Sequence, residues 1–287
     1  MISVIIITYN RKLLLGKTVD SILAQDSGGK FEIIIVDNGS EDRTTEYIRK
    51  EYGEKVKLSR APARTGLAAC KESGVAMAQG EIIAFIDDDC LAAESWLKNI
   101  KESMRNYDFL AGPVLAPAGT KFPWWWRSSL NWLVGINPAP GKKFPPLGSN
   151  IAFKKSVFGI TGSGTERLLL PYAEDRIRVA RLLDAGYTMG LAPDMTVYHY
   201  IPPERLKIVY LIKRSYKEGV ASAALERNLK TVIINALGLL INPARLTLFR
   251  DINYFFRLIA NLSYLFNLII PSFQRHRNQN GNCISYP

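Results

Sequence analysis

The chain predicts an α/β fold in which a mixed, mostly parallel sheet is flanked by helices. In the first half, short β-branched and apolar runs alternate with segments whose apolar residues recur at helical spacing. This repeated strand–helix–strand order is typical of parallel sheets that are covered by helices on both faces. From Pro202 onward the pattern is helical throughout. We therefore expect a helical extension after the sheet.

The individual elements follow from length, periodicity and end signals. Short apolar runs without helical period predict strands at residues 3–8, 31–36, 55–58, 82–86, 109–111, 151–153, 188–191 and 196–200. Apolar positions at helical spacing, with end signals such as Ser40–Asp42 before a helix and Gly186 after one, predict helices at 15–23, 44–52, 67–78, 96–104 and 174–185. Between them, Val114–Ser149 is rich in Pro, Gly and Trp and has no period. A loop of this length is usually functional.

Composition indicates a globular protein with a basic surface. The 287 residues are 47% hydrophobic and 22% charged, with a net charge of +11. The excess lies mainly at residues 201–277, where twelve Lys and Arg stand against four Asp and Glu. Such a charge suits a diphosphate substrate, an anionic membrane face or nucleic acid, and it also suits an ordinary solvated surface.

Cysteine usage and the N-terminus bear on the compartment. The three cysteines are far apart in sequence and form no Cys-x-x-Cys pair, so we expect no zinc site and no disulfide framework. A reducing compartment fits this pattern. No basic segment precedes the apolar run Ile2–Ile7, so we do not expect a secretory signal. The chain also lacks an uninterrupted apolar stretch of about 20 residues, the length that spans a bilayer.

Polar residues follow three of the predicted strands. In parallel sheets, ligands bind beyond the carboxyl ends of the strands. Thr8 and Asn10 follow the first strand, Asp37 follows the second, and Asp87-Asp88-Asp89 follows the fourth. Carboxylates this close repel one another unless a cation lies among them, and a hard divalent cation prefers oxygen ligands. The alternative is an acidic turn that caps the helix beginning at Trp96.

These motifs together resemble glycosyltransferase family 2. Val4–Arg11, Ile34–Ser40 and Ala84–Asp89 follow one another in the order of that family, and two further matches are Arg64-Thr65-Gly66 and Glu174-Asp175. The resemblance covers roughly residues 2–200, and five short motifs in order are specific. It implies a GT-A fold and transfer of a sugar from a nucleotide diphosphate sugar, usually with inversion.

The resemblance also implies roles for particular residues. Thr8 and Asn10 would lie beside the nucleoside, Asp37 would contact the base or ribose, and Arg64 would flank the base. Asp87 and Asp88 would bind the nucleotide sugar, with Asp87 at the ribose or a metal-bound water. Asp89 would ligate Mn²⁺ or Mg²⁺. Ser149-Asn150 would line the sugar pocket. The alternatives are ordinary ones: strand-to-turn endings at Thr8 and Asn10, a helix cap at Asp37, a surface charge at Arg64 and turn chemistry at Ser149-Asn150.

Two further sites come from the second half of the resemblance. Asp175 is the candidate general base that takes the proton of the acceptor hydroxyl, and Glu174 would orient it or contact the acceptor. Both acids would also be favourable simply because they begin a helix. His199 would approach the metal or the diphosphate, with Asp87 and Asp89 as the other metal ligands; alternatively it pairs with backbone.

Three tryptophans and the C-terminal helices are candidates for contact with the acceptor or with a membrane. Trp124, Trp125 and Trp126 are consecutive and cannot all point inward, so we expect contact with an acceptor or a membrane interface, with core packing as the alternative. The apolar stretches 232–241 and 255–270 are too short to span a bilayer but, with nearby arginines, resemble interfacial helices. Otherwise they pack on the catalytic domain or on a second copy.

The sequence therefore predicts a metal-dependent glycosyltransferase at the cytoplasmic face of a membrane. We expect a catalytic domain at residues 1–200, with a nucleotide-binding half (1–112) and an acceptor-binding half (113–200), then a helical region (201–273) and a disordered tail (274–287). The acceptor would be a glycan or a lipid-linked glycan in polysaccharide synthesis, without nucleic acid, and a homodimer is open. The alternatives are a sugar-phosphate nucleotidylyltransferase and a non-catalytic basic protein that binds membranes or nucleic acid.

Overall fold

The structure is a computed structural model that describes residues 1–62, 65–137, 146–158, 174–225, 229–249 and 251–269. Contacts between residues divide the chain into two compact units, Met1–Pro202 and Pro203–Pro287. The first unit holds the predicted sheet, and the second holds the predicted C-terminal helices. The predicted tail at 274–287 lies outside the described residues.

The first unit contains the strands and helices that the sequence predicts, with ends displaced by a few residues. The strands are β1 (Ile2–Thr8), β2 (Phe31–Asp37), β3 (Lys57–Arg60), β4 (Ile82–Ile86), β5 (Cys90–Ala92), β6 (Phe109–Ala111), β7 (Val114–Leu115), β8 (Asn150–Lys154), β9 (Met189–Leu191) and β10 (Val197–His199). The helices are α1 (Lys12–Leu23), α2 (Thr44–Tyr52), α3 (Leu67–Met77), α4 (Trp96–Ser103), α5 (Lys155–Phe158) and α6 (Glu174–Asp184).

Seven strands form one mixed sheet in the order β3-β2-β1-β4-β8-β6-β9. The pairs β1/β2, β2/β3, β1/β4 and β6/β9 are parallel, whereas β8 runs antiparallel to both β4 and β6. The predicted mixed, mostly parallel sheet is therefore confirmed. The parallel register sets Thr8 opposite Asp37, so the carboxyl ends of β1 and β2 lie side by side.

A second, three-stranded sheet has the order β5-β10-β7. The sequence pattern does not predict β5 or β7, because strands of two or three residues are too short to show a period. In this sheet β10 is antiparallel to β5, and His199 pairs directly with Cys90. The small sheet thus brings the last strand of the unit to the residues that follow β4.

The core beneath the main sheet is formed by apolar side chains from its central strands and from α6. Phe109 and Phe153 stack with their ring centroids 5.8 Å apart, and Val179 and Leu182 of α6 pack against the same cluster. Fully burying an apolar side chain contributes roughly 1.5–3 kcal/mol. Gly74 of α3 permits close packing on β1, because a Cβ there would lie 2.6 Å from Ile5 Cγ2.

The segment predicted as the loop Val114–Ser149 has more structure than expected in its described part. It contains β7 and a 3-10 segment, Ser128–Val134, whose Leu130 and Leu133 are buried. The Asn137 side chain accepts a hydrogen bond from the backbone N–H of Val114 over 2.6 Å. Short 3-10 turns carry no long apolar period, which is why the sequence pattern missed them.

The described residues of the second unit form three long helices, which confirms the predicted helical extension. They are α7 (Ile208–Leu225), α8 (Leu229–Phe249) and α9 (Asn253–Ile269). Gly219 of α7 allows close approach to α9, because a Cβ there would overlap the Ala260 carbonyl. Ser263 of α9 donates a hydrogen bond to the Tyr216 carbonyl over 2.8 Å.

Within the described ranges, none of the helices combines the length and the apolar character that crossing a bilayer requires.

Candidate active site

The ends of β1 and β4 meet through side chains. Thr8 donates a hydrogen bond from Oγ1 to Asp88 Oδ2 over 2.8 Å, and both residues are buried. The parallel pairing of β1 with β4 brings these residues together across 80 positions of sequence. The structure therefore places Thr8 beside the three consecutive aspartates, at the sheet edge where the sequence predicts a ligand.

Arg11 supplies the positive charge closest to two of these aspartates. Its Nη1 lies 2.9 Å from Asp88 Oδ1 and 2.8 Å from Asp89 Oδ2. The Asp88 and Asp89 side chains are 7% and 3% exposed, so a charge partner is needed to offset the cost of burying them. Burial raises the pKa of Asp88, and the Arg11 guanidinium opposes that rise.

Asp87 is the exposed member of the triple. Its carboxyl is nevertheless densely surrounded by protein atoms, and this loss of water, together with repulsion from Asp89, raises the pKa of Asp87 to about 7. Lys71 and His199 act in the opposite direction. Bringing a divalent cation to this position would remove the repulsion, because the cation favours the ionised carboxylates.

His199 lies beside Asp89, as the resemblance implies. The two approach at 3.3 Å, from His199 Nε2 to Asp89 Oδ1, and both are buried. Cys90 joins them: the ligand atoms of Asp89, Cys90 and His199 all lie within 4.8 Å of one another. Burial, followed by repulsion from Asp87 and the other two carboxylates, raises the pKa of the Cys90 thiol well above its ordinary value.

This donor set fits a divalent cation. A carboxylate oxygen, an imidazole nitrogen and the neighbouring exposed carboxylate of Asp87 are ligands that Mn²⁺ accepts, and Mg²⁺ accepts the oxygens. The thiol of Cys90 is a softer donor that suits zinc-like ions better. The predicted metal ligands Asp89 and His199 therefore lie together, and Asp87 is close enough to interact electrostatically with both. The role of all three as ligands stays a prediction.

Asp37 and Asn10 shape the turns beside β2. Asp37 is fully buried; its Oδ1 accepts the Ser40 N–H over 2.8 Å, and its Oδ2 accepts the Thr45 hydroxyl over 2.6 Å. Asn10 has φ 54° and accepts the Glu41 N–H on Oδ1 over 2.7 Å. Both side chains thus stabilise the turn before α2, whereas the N-cap of α2 is Arg43 and has no side-chain hydrogen bond. Contact with a nucleoside stays a prediction for both.

The segment Gly148–Asn150 leads into β8, whose first residue is Asn150, and Gly148 lies against Asp175 of α6. Asn150 is fully buried and uses its whole amide: Oδ1 accepts from Trp96 Nε1 over 2.9 Å, and Nδ2 donates to the carbonyls of Pro113 and Met195. This network is structural, because it joins β8, α4 and the small sheet. Ser149 is buried in the turn just before β8. A sugar-pocket role for Ser149 and Asn150 stays a prediction.

Asp175 begins α6 beside a buried lysine. Lys71 Nζ donates to Asp175 Oδ1 over 2.6 Å, and the Lys71 and Asp175 side chains are 5% and 25% exposed. Glu174 starts the same helix, although its side chain lies outside the described part. The predicted base is therefore held at a helix start, where the dipole favours a carboxylate. Arg64 lies outside the described residues, so its predicted contact with the base is not placed.

The three tryptophans differ in exposure, and their contact with an acceptor or a membrane stays a prediction. Trp124 is 90% exposed, whereas Trp126 is 9% exposed. The Trp126 ring stacks on Phe122 at 5.1 Å between centroids, and its Nε1 donates to Asn131 Oδ1 over 3.2 Å. Trp125 is half-buried and tilted against Trp126. Trp124 is thus the member of the set that presents most of its indole to solvent.

Arg11, Lys71 and Cys90 belong to the site although the sequence alone predicts no role for them. Arg11 stood inside the matched motif Thr8-Tyr9-Asn10-Arg11, so its position directly after β1 was a usable signal. Cys90 directly follows the aspartates, which was a second signal. Lys71 carried none, because a lysine on an Ala-rich helix is ordinarily a solvated surface residue.

Comparison with known proteins identifies the family. The family model described as "Glycosyl transferase family 2" matches residues 3–160, which is more than half of the chain. This match includes all of the polar residues at the ends of β1, β2 and β4, and it ends before Asp175 and His199. It favours a glycosyltransferase over the nucleotidylyltransferase and the non-catalytic basic protein.

Two curated relatives from Haloferax volcanii are similar over most of their length. A glucosyl-dolichyl phosphate glucuronosyltransferase is 28% identical over 249 residues, covering 78% of this chain and 77% of the relative. The glycosyltransferase AglE is 31% identical over 225 residues, covering 76% and 71%. Both are glycosyltransferases by name. Their similarity covers more of the chain than the family model does.

Among solved structures, the mannosyltransferase PcManGT from Pyrobaculum calidifontis, in complex with GDP-Man and Mn²⁺, has a similar fold. The TM-score is 0.60 at 19% identity, covering 93% of this chain and 87% of that one. At this identity the likeness concerns the fold, and it agrees with the GT-A architecture of the mixed sheet and its helices. The family match, the relatives and the fold agree, and the chain belongs to glycosyl transferase family 2.

Proposed function

We propose that this glycosyltransferase moves a sugar from a nucleotide diphosphate sugar to a glycan or lipid-linked glycan acceptor, with inversion and with the help of Mn²⁺ or Mg²⁺. The observation that carries the proposal is the cluster of Asp89, Cys90 and His199 after β4, with Asp175 held separately at the start of α6. This arrangement supplies a cation site and a base from different elements of one unit.

The donor side of the site would be formed by the ends of β1, β2 and β4. Asp89 and His199, with the exposed Asp87, would hold the cation. A divalent cation bound there would offset the negative charge that builds up on the departing nucleoside diphosphate. Asn38 supports a polar ligand at the end of β2, because its buried Oδ1 accepts no hydrogen bond from the part of the chain that the structure describes.

The acceptor side would depend on Asp175. In an inverting transfer, the acceptor oxygen forms a bond to the anomeric carbon on the face opposite the bond that breaks to the donor's phosphate oxygen. The hydroxyl proton of the acceptor would pass to Asp175, and the electron pair of the broken bond would leave with the diphosphate. Glu174, adjacent in sequence, would contact the acceptor or orient Asp175.

The relatives support the proposed substrate classes. The glucuronosyltransferase acts, by its name, on a dolichyl phosphate-linked sugar, and the mannosyltransferase structure contains GDP-Man and Mn²⁺. A lipid-linked acceptor and a nucleoside diphosphate donor for this chain would be consistent with both. The exposed Trp124 would contribute an aromatic face to the acceptor or to a membrane interface. Trp124→Ala should then weaken acceptor binding and leave donor binding unchanged.

Helix α8 supports contact with the cytoplasmic face of a membrane. Five apolar side chains follow one another at helical spacing and are 42–74% exposed: Ile233, Ile234, Leu237, Leu240 and Ile241. Arg245 on α8 and Arg257 on α9 are also exposed. An apolar helix face with basic residues suits an anionic lipid surface. The enzyme would thus reach a lipid-linked acceptor as a peripheral protein.

A transfer assay with a panel of nucleotide sugars tests the proposal. We expect turnover of one donor class, dependent on Mn²⁺ or Mg²⁺, with a product whose anomeric configuration is opposite to that of the donor. Asp175→Asn should lose about 100-fold or more of the rate, in the range found for a general base, while Asp184→Asn on the same helix should not. Retention of configuration, or a normal rate in Asp175→Asn, would contradict the assignment of Asp175.

A further inference from the structure

Lys71 is a buried cation in an apolar setting. Its side chain is 5% exposed, and its Nζ lies 5.4 Å from the centroid of the Phe85 ring. An ammonium group is costly to bury unless a carboxylate compensates it. Here Asp175 Oδ1 accepts a hydrogen bond from Nζ over 2.6 Å. The position of the lysine in the core is therefore explained by the carboxylate of the proposed base.

This pair joins elements that are distant in sequence. Lys71 belongs to α3 and Asp175 begins α6, 104 positions later. The backbone of Asp175 alone would leave its carboxylate several rotamers. A short, charge-assisted hydrogen bond from a buried partner selects one of them.

Gly148 lies against the second oxygen of the same carboxylate. A Cβ at position 148 would overlap Asp175 Oδ2. The backbone of Gly148 does not have a positive φ, so a side chain is excluded there by Asp175 and not by conformation. Asp175 thus has one oxygen on Lys71 and the other against the turn that leads into Ser149 and Asn150.

Lys71 also lies beside β4, because the Phe85 ring on which its Nζ rests belongs to that strand. Among the described lysines, it is the one that pairs with Asp175.

We propose that Lys71 is a positioning residue that orients the Asp175 carboxylate toward the acceptor, with Gly148 as the contact that fixes its second oxygen. The inference rests on the proposed function of Asp175 as the base. It assigns a role in catalysis to a lysine that would not itself touch donor or acceptor.

The test uses Lys71→Met, which keeps the length and removes the charge, and Lys71→Arg, which keeps the charge. We expect Lys71→Met to lower kcat by about 10- to 100-fold, a part of the full effect of a general base, with little change in the KM for the donor. Lys71→Arg should recover part of kcat, because it restores a charged donor to Asp175.

A double-mutant cycle with Asp175→Asn separates positioning from other roles. If Lys71 acts through Asp175, the double variant should be no slower than Asp175→Asn alone. The inference would be overturned if the factors lost from kcat in the two single variants multiplied in the double variant. It would also be overturned if folded Lys71→Met had the kcat of the wild type. A normal rate in Asp175→Asn would instead overturn the proposed base itself.

Gly148→Ala provides a variant that keeps the buried lysine. We expect it to lower kcat and leave nucleotide-induced thermal stabilisation unchanged, because the added methyl group displaces only the Asp175 carboxylate. A kcat equal to that of the wild type would contradict the proposed role of Gly148 and, if Lys71→Met fails to fold, would overturn the positioning inference as a whole.

Discussion

Arg11 Nη1 lies 2.8 Å from Asp89 Oδ2 and so brings a guanidinium to the carboxylate that is the strongest candidate for a metal ligand. The same nitrogen lies 2.9 Å from Asp88 Oδ1. Arg11 thus neutralises the acidic end of β4 from within the protein. A divalent cation that binds Asp89 would share this carboxylate with the guanidinium or displace it.

Removing the Arg11 charge should make the stability of the protein depend more strongly on a bound divalent cation. We expect Arg11→Met to lower the free energy of unfolding in the presence of a chelator by about 1–2 kcal/mol, allowing for the partial exposure of Arg11. The rise in Tm on adding Mn²⁺ should be larger than in the wild type, because the cation then relieves more repulsion. Arg49→Met, on the exposed face of α2, is the control. An equal Mn²⁺ response in Arg11→Met and wild type would show that the two cations do not compete.

Cys90 should make the site sensitive to thiophilic ions. Burial and the three carboxylates raise the pKa of its thiol, so Mn²⁺ and Mg²⁺ are not expected to displace the proton. Cys90→Ser should therefore retain Mn²⁺-supported transfer. Zn²⁺ and Cd²⁺, which bind thiolate strongly, should inhibit the wild type at lower concentration than Cys90→Ser.

The matched control for Cys90 is Cys70→Ser, because Cys70 is buried in the main core away from this cluster. Inhibition curves for Zn²⁺ in the three proteins check the prediction. Identical curves for Cys90→Ser and wild type would mean that the thiol takes no part in metal binding.

Asp108 should give a pH-dependent contribution to stability. The Thr188 backbone N–H, 2.9 Å away, and Lys154 Nζ, 3.0 Å away, lower the pKa of Asp108 to about 2. Because the folded-state pKa is below the unfolded one, the stabilisation is fully present above pH of about 5 and is lost as the pH falls toward about 2. Asp108→Asn should cost about 0.5–1 kcal/mol near neutral pH, since the pair is partly solvated.

Urea unfolding at a series of pH values measures this effect. The difference between Asp108→Asn and the wild type should shrink steadily on the acid side, while the exposed Asp184→Asn should show no such trend. A difference that stays constant with pH would contradict the assigned cause.

Much of the site could be predicted from the sequence, because the carboxyl ends of parallel strands lie at the same edge of the sheet. The apolar runs that lead to Thr8 and to Asp87 predicted two strands, and the parallel pairing of these strands in the structure explains the hydrogen bond between Thr8 and Asp88. The direction of each side chain could not be predicted, because it depends on neighbours distant in sequence. Asp37, for example, accepts hydrogen bonds from Ser40 and Thr45, which the sequence did not indicate.

The rest of the site required the tertiary structure for a different reason. The pairing of His199 with Cys90 arises in a sheet of two- and three-residue strands, which leave no periodic signal. Lys71 occupies a helical position that resembles a surface position in sequence, and only the packing of α3 reveals that it is buried. Short strands and buried ion pairs are therefore the parts that pattern analysis misses.

The exposed face of α8 should decide membrane association. Leu240 is 74% exposed, so Leu240→Glu should leave the fold unchanged while weakening co-sedimentation with vesicles that contain anionic lipid. Leu183→Glu, on α6, serves as the control because Leu183 is also exposed. If Leu240→Glu changes the sedimentation coefficient of the free protein and leaves vesicle binding unaffected, the face belongs to a dimer interface instead.

Binding of Mn²⁺, followed by the electron paramagnetic resonance signal of the free ion, tests the central claim most directly. Titration of the wild type in the presence of a nucleoside diphosphate should remove the free-ion signal at one site per chain. Asp89→Ala should lose this binding, whereas Glu94→Ala, an exposed acid a few residues away, should retain it. Unchanged Mn²⁺ binding by Asp89→Ala would contradict a cation site at the end of β4.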